Sequence, residues 1–92
     1  MTTHDDVGVI LKKIVELLNA GAESDWAAAL EKIKAEFEEN PKIMSDKLLA
    51  MYGGMGSIND IILYKERRVL VAENNEFDFL RTRLYKICKE IK

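Results

Sequence analysis

Residues 51–60 read Met-Tyr-Gly-Gly-Met-Gly-Ser-Ile-Asn-Asp and hold three of the chain's five glycines. Glycine is favoured where the backbone adopts φ > 0 or passes close to another group. Before this stretch, apolar residues recur at helical spacing, and after it they form short runs rich in β-branched residues. The sequence therefore predicts a helical part and a strand-containing part that meet at this glycine loop.

Three helices are predicted before the loop, over residues 5–19, 25–39 and 43–52. In each of them, apolar side chains three or four residues apart form a stripe that would face one core. These predicted core positions are Val7, Ile10, Leu11, Ile14, Leu17, Leu18, Trp26, Leu30, Ile33, Phe37, Ile43, Met44, Leu48, Leu49 and Met51.

Turn-forming residues predict where these helices end. Gly21 is available for a left-handed cap after the first helix, and Ser24 or Asp25 would cap the start of the second. Asn40 precedes Pro41, and a residue before proline is pushed out of the helical region, so the second helix ends there.

After the loop, residues 61–64 and 69–71 form two short β-rich runs on either side of a polar turn at 65–68. A hairpin is predicted, although the turn lacks the Asn-Gly or Asp-Gly pair typical of tight hairpins. Asn74 or Asn75 would then cap a last helix over 76–90. Its apolar stripe is Phe77, Leu80, Leu84, Ile87 and Ile91. The predicted fold class is α+β, a single domain over 1–92 with one core and the order α-α-α-β-β-α.

The composition is that of a globular protein, with 92 residues, 48% hydrophobic and 33% charged. One cysteine cannot form an internal disulfide. The N-terminus is polar and acidic and lacks the features of a signal peptide. No apolar run approaches the ~20 residues that span a bilayer. We therefore expect a cytoplasmic protein without membrane contact.

Charge is distributed unevenly along the chain. Residues 1–60 carry six lysines and eleven acids (−5), whereas residues 61–92 carry eight basic residues and five acids (+3). All four arginines lie in the second part: Arg67, Arg68, Arg81 and Arg83. Either the two parts compensate each other, or the arginines form a basic patch for an anionic partner. The net charge of −2 makes nucleic acid an unlikely partner.

The glycine loop permits two interpretations. Its backbone N–H groups could cradle a phosphate or carboxylate, in which case the candidate ligand-binding residues are Gly53, Gly54, Gly56, Ser57 and Asn59. A phosphate loop, however, leads from a strand into a helix and is followed by lysine, whereas this loop is followed by Ile58. The alternative is structural, with Gly53 ending the third helix in a left-handed conformation.

Residues for catalysis are scarce. His4 is the only histidine and lies near the N-terminus, so no serine or cysteine has a convincing base. Cys88 lies on the apolar side of the last helix, where a small buried hydrophobe is expected. Cysteine and histidine do not occur at metal-ligand spacing. We expect a protein that is not an enzyme and has no cofactor, no catalytic residue and no metal.

Acidic residues concentrate on the second helix. Glu36, Glu38 and Glu39 fall at its C-terminal end, where the helix dipole disfavours negative charge. With Glu31 they form either a solvated face or an acidic surface that binds a basic protein partner.

The Trp26-Ala27 pair and the 51–60 run together resemble a family of short bacterial proteins of unknown function. Members share a Trp-Ala helix start and a Gly-Gly-Met-Gly-Ser-x-Asn-Asp loop. The resemblance runs from the second helix to the last. It implies a bacterial, cytoplasmic setting and assigns no activity, cofactor or residue role.

Together these features favour a protein–protein interaction module, in its sharpest form a small inhibitor of the immunity or antitoxin kind. The alternative is a domain that binds a small anionic ligand at residues 53–57, with an enzyme as one form of it. A homo-oligomer is also compatible with the sequence.

Overall fold

The computed structural model describes residues 4–53 and 56–91 and is mainly helical, with one two-stranded antiparallel hairpin. The predicted order α-α-α-β-β-α is confirmed, whereas α+β describes the fold only coarsely because each strand has two residues. The elements are α1 (His4–Ala20), α2 (Ser24–Glu36), α3 (Pro41–Ala50), a 3-10 helix (Ile58–Asp60), β1 (Tyr64–Lys65), β2 (Arg68–Val69) and α4 (Val71–Ile91).

The four helices enclose one cluster of buried side chains. Helix α1 packs against α2 and α4, and α3 packs against α4 and, less extensively, against α2. Every predicted core position of α1 is buried, as are Leu30, Ile33 and Phe37 of the second stripe. Trp26 and Leu80 are only half-buried at the edge of the cluster. Ile43 was predicted to be in the core and is instead 56% exposed.

The turn after α1 differs from its prediction by one residue. Ala22, not Gly21, has the left-handed conformation, with φ of 61°. The Ala22 N–H donates to the Asn19 carbonyl at 3.3 Å and the Glu23 N–H to the Leu18 carbonyl at 2.8 Å, which is the bonding of a Schellman cap. Gly21 has a different function, because a Cβ there would lie 2.6 Å from Leu63 Cδ2.

Helix α2 is shorter than predicted. It ends at Glu36, and Glu38 and Glu39 lie in the following turn rather than in the helix. Its N-cap is Glu23, so Ser24 and Asp25 lie inside the helix instead of capping it. Helix α3 begins at Pro41, because proline has no N–H to lose at a first helical position.

The hairpin region contains the largest departure from the sequence prediction. Residues 61–63, predicted to belong to the first strand, lie outside it, and β1 begins only at Tyr64. Helix α4 begins at Val71, five residues before its predicted start. Asn74 is therefore a residue of the first turns of α4 and not its cap, and Asn75 lies beside it in the same helix.

Candidate functional site

The glycine loop is held by hydrogen bonds among its own residues. Of the described glycines, Gly56 has the positive φ, at 74°, whereas Gly53 does not provide the left-handed cap predicted for it. The Gly56 N–H donates to Asp60 Oδ2 at 2.8 Å, and the buried Ser57 Oγ accepts the Asn59 N–H at 3.2 Å. Gly54 lies outside the described residues. The Asp60 carboxylate thus occupies the position where an anion would meet the Gly56 N–H.

Arg81 of α4 forms hydrogen bonds with the backbone of the segment that follows the glycine loop. Its guanidinium donates to the Ile58 carbonyl at 3.1 Å and the Ile61 carbonyl at 3.5 Å. It also pairs with Asp78 at 3.0 Å and lies 4.8 Å from the centre of the Phe77 ring. Arg81 is therefore a structural residue, which removes it from the basic patch predicted for the four arginines.

Tyr52 forms a second connection between α4 and the loop. Its hydroxyl donates to the Arg81 carbonyl at 2.6 Å, and its own carbonyl accepts the Asn59 side-chain N–H at 3.1 Å. Burial raises the pKa of the Tyr52 hydroxyl above its usual range; nearby Cys88 acts in the same direction and Arg81 opposes it. The hydroxyl consequently remains a proton donor at neutral pH.

A shallow concavity of about 420 Å³ lies between α3, the loop and α4. Apolar and aromatic side chains form much of its wall, and three polar side chains line the rest. The lining residues are Leu49, Tyr52, Gly53, Asn59, Thr82, Tyr85 and Lys86. Of the predicted ligand-binding residues that the structure describes, Gly53 and Asn59 line this concavity, whereas Gly56 and Ser57 line a separate groove.

The hairpin has an unusual turn. Lys65 pairs with Arg68, so Glu66 and Arg67 form a two-residue loop, with φ of 51° and 69°. Two successive positive φ values are typical of a type I′ turn, which normally carries asparagine or glycine. Because both residues have a Cβ, this turn is strained.

One face of the hairpin is apolar and turned toward solvent. Tyr64 lies opposite Val69, and the alternation of side chains extends this face to Ile62. Val71, the first residue of α4, follows Val69 by two positions and is exposed as well. We call these four residues the outer face. Their exposures are 51% for Ile62, 46% for Tyr64, 49% for Val69 and 67% for Val71. The residues between them, Leu63 and Leu70, point the other way and pack in or against the core.

Asn74 connects the hairpin to α4 through hydrogen bonds between its side-chain amide and the facing residues Leu63 and Leu70. Its Oδ1 accepts the Leu63 N–H at 2.8 Å, and its Nδ2 donates to the carbonyls of Leu63 at 3.0 Å and Leu70 at 2.8 Å. The Leu70 N–H donates to the Leu63 carbonyl at 3.0 Å. The inner residues of the hairpin are thereby fixed, and the outer face is presented on a rigid support.

A groove of about 370 Å³, which we call the β1 groove, follows the edge of β1 that does not pair with β2. The start of α2 contributes one wall and the turn at Gly56 contributes the other. Its lining residues are Glu23, Trp26, Gly56, Ser57, Asp60, Ile61, Ile62 and Tyr64. Its charged residues, Glu23 and Asp60, are both acidic, so the groove carries negative charge.

The acids predicted to bind a partner lie elsewhere. Glu31, Glu36, Glu38 and Glu39 are exposed, and within the described ranges no ion pair joins them to an arginine. Glu36, Glu38 and Glu39 lie at the far end of α2, roughly 20 Å from the β1 groove at 1.5 Å per residue. They and the outer face therefore belong to different regions of the surface.

Cys88 is buried, as expected of a small hydrophobe. Burial raises the pKa of the Cys88 thiol from 9.0 to about 11, against a smaller lowering by the Ser45 hydroxyl. The Ser45 contact falls short of regular hydrogen-bond geometry, since no partner satisfies the buried Ser45 Oγ. A buried, protonated thiol is a poor nucleophile. Across the described ranges, no group of three potential metal ligands is present.

Sequence reasoning missed both the outer face and the β1 groove. The sequence identifies the residues of 61–64 and 69–71 as apolar. Because side chains alternate between the two faces of a strand, only every second one of them can face the core. Ile62, Tyr64, Val69 and Val71 occupy alternate positions around the turn, and that spacing is the signal that could have identified the outer face.

Comparison with known families places this chain. Residues 19–71 match the family described as Domain of unknown function (DUF6966). The match covers more than half of the chain, so the chain belongs to this family. The expectation of a family of unknown function is confirmed, and the matched range contains the whole outer face and the whole β1 groove. No curated protein and no solved structure matches the chain.

Among the described residues, no helix is both long and apolar enough to cross a membrane.

Proposed function

We propose that this chain is a protein-binding module that does not act as an enzyme, and that its outer face contacts the partner. The observation that carries the proposal is the grouping of four exposed apolar side chains on the hairpin and at the residue that follows it: Ile62, Tyr64, Val69 and Val71. They account for half of the eight large hydrophobic side chains that are exposed in the described part of the chain. Clustered apolar exposure marks interaction surfaces, whereas isolated exposed hydrophobics are ordinary.

The surroundings of the outer face support a protein partner. A tyrosine at its centre provides an apolar ring and a polar hydroxyl, a combination enriched at interfaces. Lys65, Arg67 and Arg68 stand exposed at the hairpin tip. These charges would steer a partner with an acidic rim and keep the hairpin from pairing with other chains indiscriminately.

An inhibitor of the immunity or antitoxin kind is the narrower form of this proposal. Such a protein works by covering a site on its target, which requires an accessible apolar surface on a rigid support. The Asn74 bonds and the buried Leu63 supply that support here. The exposed acids of α2 would then act at long range, by steering a basic part of the target.

Affinity capture from cells of the source organism tests the proposal. The chain is compared with a Tyr64→Ser, Val69→Ser variant and a control, Val9→Ser, Phe79→Ser. The control alters two apolar side chains elsewhere that are more exposed than those of the hairpin variant, at 62% and 63%. We expect a protein recovered in stoichiometric amount with the wild type and the control and lost with the hairpin variant. Equal recovery with all three would refute the outer face as the binding surface.

A second candidate function is binding of a small anion in the concavity between α3 and α4. The observation in its favour is that Lys86 lines an aromatic concavity together with Gly53 and Asn59 of the glycine loop. Thermal melting with a panel of small carboxylates and phosphates tests it. A rise in Tm that disappears in a Lys86→Gln variant would establish it, and no rise with any compound would reject it.

A further inference from the structure

We infer that the β1 groove binds an extended peptide segment of the partner, which adds as a third strand to β1 and carries a lysine or arginine. This inference rests on the proposed protein-binding function and specifies the part of the partner that is bound. It combines three features of the groove: unpaired backbone groups, an aromatic wall and acidic charge.

The backbone of β1 offers the hydrogen bonds. In a two-residue hairpin the residues beside the loop form a hydrogen-bonded pair and the next pair does not. Tyr64, opposite Val69, therefore directs its N–H and carbonyl away from β2, and Ile62 does the same two residues earlier. Within the described residues, no backbone hydrogen bond engages Ile62. The outward edge thus presents two donors and two acceptors.

The outer edge of β2 is less suited to pairing with an added strand. Helix α4 begins two residues after β2 ends, at Val71. A strand that joins the hairpin would therefore pair along β1. Ile61, in the segment that leads into β1, already has an extended conformation, with φ of −73° and ψ of 128°.

The side chains of the groove indicate the chemistry of the peptide. Trp26 is half-buried and forms an apolar wall with Ile61 and Tyr64. Glu23 and Asp60 supply negative charge, and none of the described residues that line the groove is basic. Alternate residues of an added strand point to the same side. An apolar residue followed two positions later by lysine or arginine fits this wall, and arginine could also stack on Trp26.

Selection from a displayed library of random nine-residue peptides tests the inference. We expect enriched peptides that alternate apolar and basic residues, and slowed hydrogen exchange at the Ile62 and Tyr64 amides when one is bound. An Ile62→Pro variant should bind at least tenfold more weakly. Proline is sterically acceptable there because Ile61 already has the extended conformation that a following proline requires.

The matched control is the Val9→Ser, Phe79→Ser variant. Its two exposed side chains lie outside the β1 groove and the outer face, so peptide affinity should change less than twofold. If Ile62→Pro fails to fold, Glu23→Lys tests the groove by charge alone and should weaken peptide binding at least fivefold. No enriched peptide, or equal affinity of the Ile62→Pro variant and the Val9→Ser, Phe79→Ser control, would overturn strand addition.

Two further outcomes separate this inference from alternatives. A captured partner that loses binding to the Tyr64→Ser, Val69→Ser variant but binds the Ile62→Pro variant normally would leave protein binding intact and reject strand addition. A concentration-dependent dimer in sedimentation, abolished by Ile62→Pro, would show that a second copy of this chain occupies the edge and would reject the peptide.

Discussion

At the scale of single residues, the two positions after α1 differ in what they demand of the residue: one needs a left-handed backbone, and the other needs the absence of a Cβ. Ala22 adopts φ of 61°, a conformation that costs a residue with a Cβ about 1–2 kcal/mol. Gly21 lies against Leu63, with no room for a methyl group. The glycine needed for contact and the left-handed residue needed for the cap are therefore adjacent but distinct.

Exchanging glycine and alanine at these positions should show the difference. Gly21→Ala is expected to lower the free energy of unfolding by about 1–3 kcal/mol, because the added Cβ overlaps Leu63. Ala22→Gly is expected to raise it by up to about 1 kcal/mol, since glycine tolerates positive φ. Urea denaturation measures both. Stabilisation by Gly21→Ala, or destabilisation by Ala22→Gly, would contradict this account of the turn.

The raised pKa of the Cys88 thiol predicts that the free energy of unfolding falls at alkaline pH. Its thiol has a pKa of about 11 when folded and an ordinary value of 9.0. The unfolded chain therefore loses this proton first, and the stability that it contributes below pH 9 is lost as pH rises toward 11. Denaturation across this range should show a fall that is smaller in Cys88→Ala. An identical decline in the variant would assign the effect to other groups.

The sequence indicated which residues are apolar but not which contact requires glycine. The helical stripe of α1 follows from a 3.6-residue period alone, and all six of its predicted positions are buried. The Gly21 contact depends on Leu63, which is 42 residues away in the chain. Such a contact cannot be read from local sequence, and the glycine was therefore assigned to the cap.

At the scale of elements, the hairpin depends on α4 through Asn74. An isolated two-stranded hairpin is marginally stable in water, and this one has strands of two residues each. The three bonds of the Asn74 amide join Leu63 to Leu70 and stabilise the hairpin in the absence of a third strand. An asparagine near a helix start suggests a cap, but the Asn74 side chain instead hydrogen-bonds to the backbone of the hairpin that precedes the helix.

Replacing Asn74 with aspartate should loosen the hairpin. The carboxylate can still accept from the Leu63 N–H, but it cannot donate to the Leu63 and Leu70 carbonyls. We expect a loss of about 1–3 kcal/mol in the free energy of unfolding and faster hydrogen exchange at Leu63. Asn75→Asp is the control, because it places the same charge in the same helical turn at an exposed position. Equal effects of the two substitutions would exclude a specific role for the Asn74 amide.

The strain in the Glu66–Arg67 turn can be relieved without changing any residue of the outer face. Glu66→Asn with Arg67→Gly supplies the residues that a type I′ turn prefers and should stabilise the chain by about 1 kcal/mol in thermal or urea denaturation. Glu66→Asn with Arg68→Gly is the control and should not stabilise, since Arg68 belongs to β2. The sequence predicted a hairpin in this region but not its turn type, because the preferred turn pair is absent.

At the scale of the whole molecule, the charge asymmetry does not arise from pairing of acids on α2 with arginines. Arg81 is used within the structure, Arg67 and Arg68 stand at the hairpin tip, and Arg83 lies on α4 near α1. The order of helices and strands was predictable because periodicity changes at the glycine loop. The candidate site was not, because it is assembled from the start of α2, the glycine turn and β1 by packing alone.

Titration calorimetry with the captured partner tests the central claim, that the outer face of the hairpin binds another protein. The Tyr64→Ser, Val69→Ser variant should bind at least tenfold more weakly than wild type, while its urea midpoint stays close to that of wild type because neither side chain is in the core. The Val9→Ser, Phe79→Ser control should bind within twofold of wild type. Undiminished binding by the hairpin variant, with the fold intact, would contradict the claim.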